Sequence, residues 1–251
     1  MLVNYQFKYR TRGRYIFVPT GQCERKGRRI LKYFSKFEFP EYYYHYAEGG
    51  HVAAMHAHLE SRLFFKVDIQ DFYYSIARMR VTRALRSFGY RGANTLATWS
   101  TVRNPIVGGP DHVLPIGFVQ SPLLASLVLM KSAVAGAMER AVTNGVRISV
   151  FMDDFVGSHD DLEVLQAAYT DVRDSAVEAG LLPNPAKLVA PTDAITAFNC
   201  DLQLARASVT AERIAKYEAR HNRTPQSDAS FLQYCNLVSS KNAPELAENI
   251  E

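Results

Sequence analysis

The stretch Val146-Arg147-Ile148-Ser149-Val150-Phe151-Met152-Asp153-Asp154-Phe155-Val156-Gly157 decides the fold. Its apolar run from Val146 to Met152 leads into two adjacent aspartates, and a second short run, Phe155-Val156, leaves them and ends at Gly157. The pattern predicts a β-hairpin with the acid pair at its turn. A bent tip can present both carboxylates to one side, although strand neighbours normally face opposite ways. Two carboxylates with no basic neighbour in the sequence repel each other, and a cation relieves that cost. Hard oxygen ligands with open positions suit Mg²⁺. A plain surface Asp-Asp turn is the competing reading, and a third acid upstream weighs against it.

That acid is Asp68, at the end of Leu63-Phe64-Phe65-Lys66-Val67-Asp68-Ile69. The run reads as a buried strand, where a carboxylate needs a reason to be. Gln70 to Ile76 then reads as a tight turn into a short helix. A strand ending in Asp68, paired beside the Asp153-Asp154 hairpin, would set three carboxylates around two divalent metals. That arrangement serves in-line phosphoryl displacement.

With 251 residues the chain can bury a substantial core, as one domain or as a compact multi-lobed enzyme. Its apolar, aromatic and charged fractions are those of a globular protein. The polar, aromatic N-terminus does not read as a signal peptide. Val119 to Met138 comes nearest to a membrane span, but Gln120, Pro122 and Lys131 fit a buried helix better. Cys23, Cys200 and Cys235 are scattered and odd in number, which suggests reduced structural thiols in a cytoplasm rather than a disulfide or zinc framework. The net charge of +4 is uneven: residues 1–40 hold ten Lys and Arg against Glu24 and Glu38, hence +8, and the remainder carries −4. A basic N-terminal lobe beside an acidic centre suits a polyanion held next to a metal site.

Arg12 to Pro19 reads as a turn into a strand, and Gln22 to Phe37 as a basic helix carrying Arg25, Lys26, Arg28, Arg29, Lys32 and Lys36. The aromatic run Tyr42 to Tyr46 could stack on bases, but packing is the better reading. Glu48 to Ser61 reads as a helix with His51, His56 and His58; no nearby cysteine or acid completes a metal set, so a metal site is rejected. Val81 to Trp99 reads as helix interrupted near Gly89 to Gly92, and Asn104 to Pro115 as a loop. Ser121-Pro122 is a good helix start, and Asp160 to Gly180 an amphipathic helix stopped by its glycine. Ile195 to Leu204 reads as a hairpin, and residues 210–251 as two or three polar-surfaced helices.

FFKVDIQDFYYSI (Phe64–Ile76), LPIGFVQSPLLASLVL (Leu114–Leu129) and FMDD (Phe151–Asp154), in that order and spacing, resemble the palm motifs of reverse transcriptases. The bacterial retron, abortive-infection and defence-associated group is the most similar. The resemblance implies an α+β right-hand polymerase. Its fingers would be residues 1–62, its palm, an antiparallel sheet with interleaved finger helices, 63–205, and its short helical thumb 206–251. It implies two Mg²⁺ ions, with Mn²⁺ as an alternative, on Asp68, Asp153 and Asp154. Asp68 and Asp153 would lead and Asp154 support. Arg14 falls where the family's arginine reaches the incoming triphosphate, a task suited to a planar, doubly donating fork, and Lys187 where a lysine is the candidate general acid for pyrophosphate. Ile69, Tyr73, Gly117 and Gln120 fall around the nucleotide. Arg25, Arg28, Arg29, Ser121 and Pro122 fall along the nucleic acid. Ile116 and Gln120 depart from the usual loop pattern, which puts the sugar contacts in question, and Phe198-Asn199-Cys200-Asp201 replaces the usual Leu-Gly of the primer grip.

Tyr73 follows Asp68 by five residues, where reverse transcriptases carry an aromatic that excludes a ribose 2′-OH. The family reading therefore implies an RNA template, a DNA product and dNTPs, with no membrane. The small size suggests a dedicated non-coding RNA, a partner protein or a second copy of the chain. Two competitors are weighed: a palm-type RNA polymerase or other nucleotidyltransferase, disfavoured by Tyr73, and an inactive RNA-binding palm scaffold, disfavoured by the intact acids. A role in anti-phage defence follows from the family alone.

Overall fold

The structure is a computed structural model and describes residues 3–242. In chain order its elements begin β1 (Tyr5–Thr11), β2 (Arg14–Pro19), α1 (Gly21–Tyr33), α2 (Gly50–His56), β3 (Leu63–Asp68), α3 (Phe72–Ser75), α4 (Arg78–Ser87) and α5 (Ala93–Ser100). They continue β4 (Val102–Arg103), β5 (His112–Val113), α6 (Ser121–Leu129), α7 (Ala133–Thr143), β6 (Arg147–Phe151), β7 (Asp154–His159) and α8 (Leu162–Glu178). The last are β8 (Val189–Thr192), β9 (Ala194–Ala197), β10 (Cys200–Gln203), β11 (Arg206–Val209), α9 (Ala211–Glu218) and α10 (Pro225–Ser239). The mixture of helices with antiparallel sheets is the expected α+β class.

The chain divides into two compact units. One comprises Met1–Glu38, Ile69–Ala137 and Asp174–Pro183, the other Phe39–Asp68, Met138–Arg173 and Asn184–Glu251. The units interleave along the chain. The backbone passes between them at Glu38, Asp68, Ala137, Arg173 and Pro183, and nothing in local composition marks those positions. Residues 243–251, part of the expected thumb, lie outside the described residues.

The second unit is built on a four-stranded antiparallel sheet of order β6-β7-β3-β8. β3 is buried from Phe64 to Asp68, as its apolar run predicts. Side chains alternate along a strand, so the register sorts them into rows across the sheet. Asp68, Asp154 and Phe151 form one row; Lys66, Val156 and Ser149 the next; Phe64, Ser158 and Arg147 the third. This acid-bearing face is covered by an apolar core in which Val52, Met55, Leu59, Phe64 and Val156 pack with Ile195, Phe198, Leu202 and Val209. Those last four come from a second, three-stranded sheet of order β11-β10-β9 and its turns. Phe198 and Asn199 both take positive φ (55° and 61°) between β9 and β10, the signature of a tight I′ hairpin turn. The expected hairpin at Ile195 to Leu204 is therefore present, with β11 added beside it.

On the opposite face Phe65 lies over Gly157, its partner on β7, and packs against Tyr169 of α8. β7 does not end at Gly157, as its sequence suggests; it runs on to His159. The glycine is needed mid-strand because a Cβ there would overlap Cε1 and Cζ of Phe65. Gly157→Ala should therefore destabilise the fold by about 1–3 kcal/mol through overpacking. A urea denaturation midpoint equal to wild type would contradict this ring placement.

In the first unit β1 and β2 form a hairpin turned by Arg12 and Gly13, both at positive φ. Thr20 caps α1 by accepting a hydrogen bond from the Cys23 amide at 3.3 Å. α1 buries Cys23, Gly27 and Ile30. Gly27 is the contact point for α6's leading residue, since a Cβ there would overlap the Gln120 amide. The apolar stretch around Val119 to Met138 is broken, with α6 ending at Leu129 and α7 starting at Ala133. Among the described residues no single helix is long and apolar enough to cross a membrane.

Candidate active site

β6 and β7 are joined by the two-residue turn Met152-Asp153, with Phe151 opposite Asp154. Met152 takes φ 62° at the first turn position, as in a II′ hairpin. β3 then pairs with β7 so that Asp68 faces Asp154. Antiparallel partners project to the same side of a sheet, so the register places these two carboxylates together at its end. Asp153 stands one residue earlier, in the turn.

Two lysines hold the pair. Lys66 precedes Asp68 by two residues on β3 and so shares its face; its Nζ lies 3.2 Å from Asp154 Oδ1 and donates to the Thr196 carbonyl at 3.4 Å. Lys187 donates from Nζ to Asp68 Oδ2 at 2.9 Å. Asn184 docks the segment that carries Lys187. Its amide donates to the Asp68 carbonyl at 2.7 Å, and its Nδ2 to Asp68 Oδ1 at 3.4 Å. The expectation that the acids lack basic neighbours is therefore corrected. No cation flanks the Asp153-Asp154 pair in the chain, but strand pairing brings Lys66 to Asp154 and the 184–187 turn brings Lys187 to Asp68.

The electrostatics follow from this packing. Burial pushes the Asp154 carboxyl up to about 7; Lys66 opposes the rise, while Asp68 and Asp153 add to it. For Lys187, burial works against the charge, but Asp68, followed by Asp154 and Asp153, outweighs it and raises the pKa. All three aspartates thus act on one ammonium group. A cavity of about 530 Å³ opens beside them, lined in part by Lys66, Asp154, Lys187, Thr196, Asn199 and Glu212.

The expected three-carboxylate metal group is not gathered in this arrangement. Among the described residues no set of three or more His, Cys, Asp or Glu is placed to hold an ion together. Each of the two acids is already engaged, Asp68 by Lys187 and Asp154 by Lys66. The donors still suit a divalent cation. They are hard carboxylate oxygens on one face, and Asp154 Oδ1 is buried and accepts no hydrogen bond, its ion pair with Lys66 lying off the hydrogen-bonding axis.

The other expected site residues divide between the interior and the surface. Gln120, expected at the nucleotide sugar, is fully buried and donates to Ser100 Oγ at 3.2 Å and to Cys23 Sγ at 3.7 Å. Ser121 is buried at the first turn of α6 beside Pro122, and Ile69 is in the core, so neither side chain presents a binding surface. Gly117 permits a close approach, as expected, but to the protein's own backbone: at φ 110° it lies against Phe17, whose amide donates to the Ile116 carbonyl at 2.9 Å. Arg28 is paired with Glu24 at 2.6 Å. Arg14, Arg25 and Arg29 are exposed. Tyr73 is half-buried on α3, its ring 5.7 Å from that of Phe72. The aromatic run packs: Val150 of β6 donates to the Tyr42 carbonyl and accepts from the Tyr44 amide, which buries Tyr43.

His58, rejected as a metal ligand, is fully buried on the acid face. Its Nδ1 meets Ser158 Oγ at 2.7 Å and its Nε2 meets Ser149 Oγ at 2.8 Å, clamping β6 to β7 behind the aspartates. Burial, with the Arg147 charge adding, lowers its pKa to about 3. His51 and His56 bond to Tyr234 and to the Val238 carbonyl, so each of the three histidines has a structural partner.

The α+β fold is that of a polymerase. A structure of the foamy viral protease-reverse transcriptase bound to double-stranded DNA superposes with a TM-score of 0.51 at 16% identity, covering 90% of this chain. A second structure of that protein, with an RNA/DNA hybrid, gives 0.45 at 17% identity over 73% of this chain. The chain spans 34% of the first viral protein's length and 22% of the second's. Residues 18–223 match the model of the reverse transcriptase (RNA-dependent DNA polymerase) family, and the chain belongs to that family. No curated protein matches it in sequence.

Proposed function

We propose that this chain is an RNA-directed DNA polymerase that adds deoxynucleotides to a 3′ end on an RNA template. The observation that carries this reading is the row in which Asp68 and Asp154 stand opposed at the end of the sheet, each beside a lysine. Divalent cations, Mg²⁺ or Mn²⁺, held by Asp68 and Asp154 with Asp153, would neutralise the attacking and leaving oxygens of an in-line displacement. Such a transfer needs alignment and charge neutralisation more than covalent help. The β3–β7 ladder supplies alignment by fixing both acids on rigid strands. Lys187, kept protonated by the three aspartates, is the positioned proton donor for pyrophosphate. Lys66 ties Asp154 to the β9–β10 hairpin, so the acids and the cavity wall form one piece.

The motifs at Phe64–Ile76, Leu114–Leu129 and Phe151–Asp154 support placement in the retron, abortive-infection and defence-associated group. In that reading the chain works in a bacterial cytoplasm on a dedicated non-coding RNA, with a partner protein or a second copy. Sequencing the nucleic acid that copurifies with the protein tests this; a product unrelated to any single RNA species argues against it.

Sugar choice tests the polymerase class. Tyr73 at the sugar would reject a ribose by overlap, a repulsive form of specificity. Tyr73→Ala should improve GTP use relative to dGTP by about 1–3 kcal/mol, the scale of steric pocket discrimination. The readout is the ratio of kcat/KM values on an RNA template. A wild-type ratio near one, or one unchanged by the substitution, removes Tyr73 as the gate and favours an RNA polymerase.

A further inference from the structure

The two units differ sharply in charge. The first holds 17 Lys and Arg against 6 Asp and Glu, a net +11; the second holds 12 against 19, a net −7. Within the first unit the cations are not evenly spread. Lys26 and Arg29 of α1, with Tyr90, Arg91 and Thr95 of the turn into α5 and its first turns, line a cavity of about 290 Å³. Among the described residues no acidic side chain contributes to its wall. The only acid on α1 is Glu24, and it is engaged by Arg28 at 2.6 Å. Three cations facing one concavity with no counter-charge repel one another, so the site is at lower energy with an anion inside.

The wall is also held in place. Tyr33 of α1 packs edge-on against Tyr90 at 5.0 Å between centroids, and the Lys26 ammonium lies over the Trp99 ring at 5.2 Å. A cavity lined by one tyrosine and three cations, of which Lys26 is held over Trp99, suits a phosphate carried by a strand whose neighbouring base can meet the ring. At about 290 Å³ it sits at the lower end of ligand pockets, enough for one nucleotide and too small for a duplex.

We infer that this cavity on the first unit is a phosphate-anchoring subsite for single-stranded RNA, in which Lys26, Arg29 and Arg91 hold one backbone phosphate and Tyr90 supports the adjacent base. The inference rests on the RNA-directed reading of the acid site but concerns binding alone, so it is measured without dNTP or divalent cation. The full-length chain is titrated into a labelled single-stranded RNA across a range of salt concentrations. Arg91→Ala should weaken binding about fivefold, the upper range for one exposed charge pair. It should also reduce the slope of log K against log salt by about 0.7. Arg91→Lys should restore most of the slope, because it keeps the charge. Arg103→Ala, which removes an exposed arginine of the same unit outside the cavity, should leave both unchanged. Equal effects from Arg91→Ala and Arg103→Ala, or none from Arg91→Ala, overturn the subsite and leave the polymerase reading intact. Quenching of Tyr90-region fluorescence by inorganic phosphate or dGTP that RNA fails to displace also overturns it, as a free-anion site. A wild-type chain that binds RNA with the Arg91 dependence yet incorporates no nucleotide supports the subsite and counts against the polymerase reading alone.

Discussion

Asp68→Ala should lower divalent-metal-dependent nucleotide incorporation by about 10³-fold or more, because it removes one of two opposed carboxylates that would hold the catalytic cations. The fold should survive. Asp68 ends β3, and the backbone bond from the Asn184 amide to its carbonyl does not depend on the side chain. Lys187, which loses its partner, has 46% of its side chain exposed and can be solvated instead. Asp68→Asn is the closer control, since it retains shape and polarity. Asp153→Ala should also abolish incorporation. A folded Asp68→Asn or Asp153→Ala chain that incorporates dNTP at nearly the wild-type rate would remove that residue from the site.

His58→Ala should cost about 2–5 kcal/mol at pH 7.5, because it removes the side-chain partner of the buried Ser149, leaves Ser158 with Ser61 alone, and opens a cavity against β6 and β7. The same residue imposes a pH dependence. Its folded pKa is about 3, against about 6.5 in an unfolded chain. Below pH 6.5 the unfolded state therefore binds a proton that the fold does not. This contribution is fully present above pH 6.5 and is lost as the pH falls towards 3. His45, lowered by burial to about 4, acts in the same direction. Asp154 acts in the opposite one. Its raised pKa lets the fold hold a proton up to about pH 7, so in the metal-free chain its contribution grows as the pH falls through that value. The terms oppose each other in wild type. In Asp154→Asn the acid sensitivity should stand uncovered, and adding His58→Gln should remove about 2–3 kcal/mol of the loss between pH 6.5 and 4.5. Urea midpoints across that range measure it. An unchanged slope in the double variant would mean that His58 does not stay neutral in the fold.

The elements that hold the acids were legible because their residues obey strong local rules. Leu63 to Val67 is a β-forming run broken only by Lys66, and the Asp153-Asp154 step between two apolar runs reads as a turn. What was not legible depends on register and on distant pairing. Lys66 reads as an interruption in an apolar strand until β7 pairs with β3 and places Asp154 beside it. The i, i+2 spacing of Lys66 and Asp68 was the available signal. β1 was missed although Tyr5, Phe7 and Tyr9 alternate with Gln6, Lys8 and Arg10 at the period of a strand. β8 and β11, four residues each, were missed as well. Gln120 could not be separated from a surface residue by its neighbours; its burial follows from Gly27, which opens room for its amide on the distant α1. Gly157 looked like a strand end because glycine usually is one, and only the Phe65 ring across the ladder explains its place.

The most direct test is extension of a DNA primer by the purified chain on an RNA template, supplied either as a generic annealed hybrid or as the RNA that copurifies. The acid pair of Asp68 and Asp154 predicts a DNA product that requires dNTPs and Mg²⁺ or Mn²⁺, disappears with EDTA, and is absent with Asp68→Asn at an unchanged thermal midpoint. Extension that persists without divalent cations, that prefers NTPs, or that survives Asp68→Asn would contradict it, as would a folded wild-type chain that extends neither substrate.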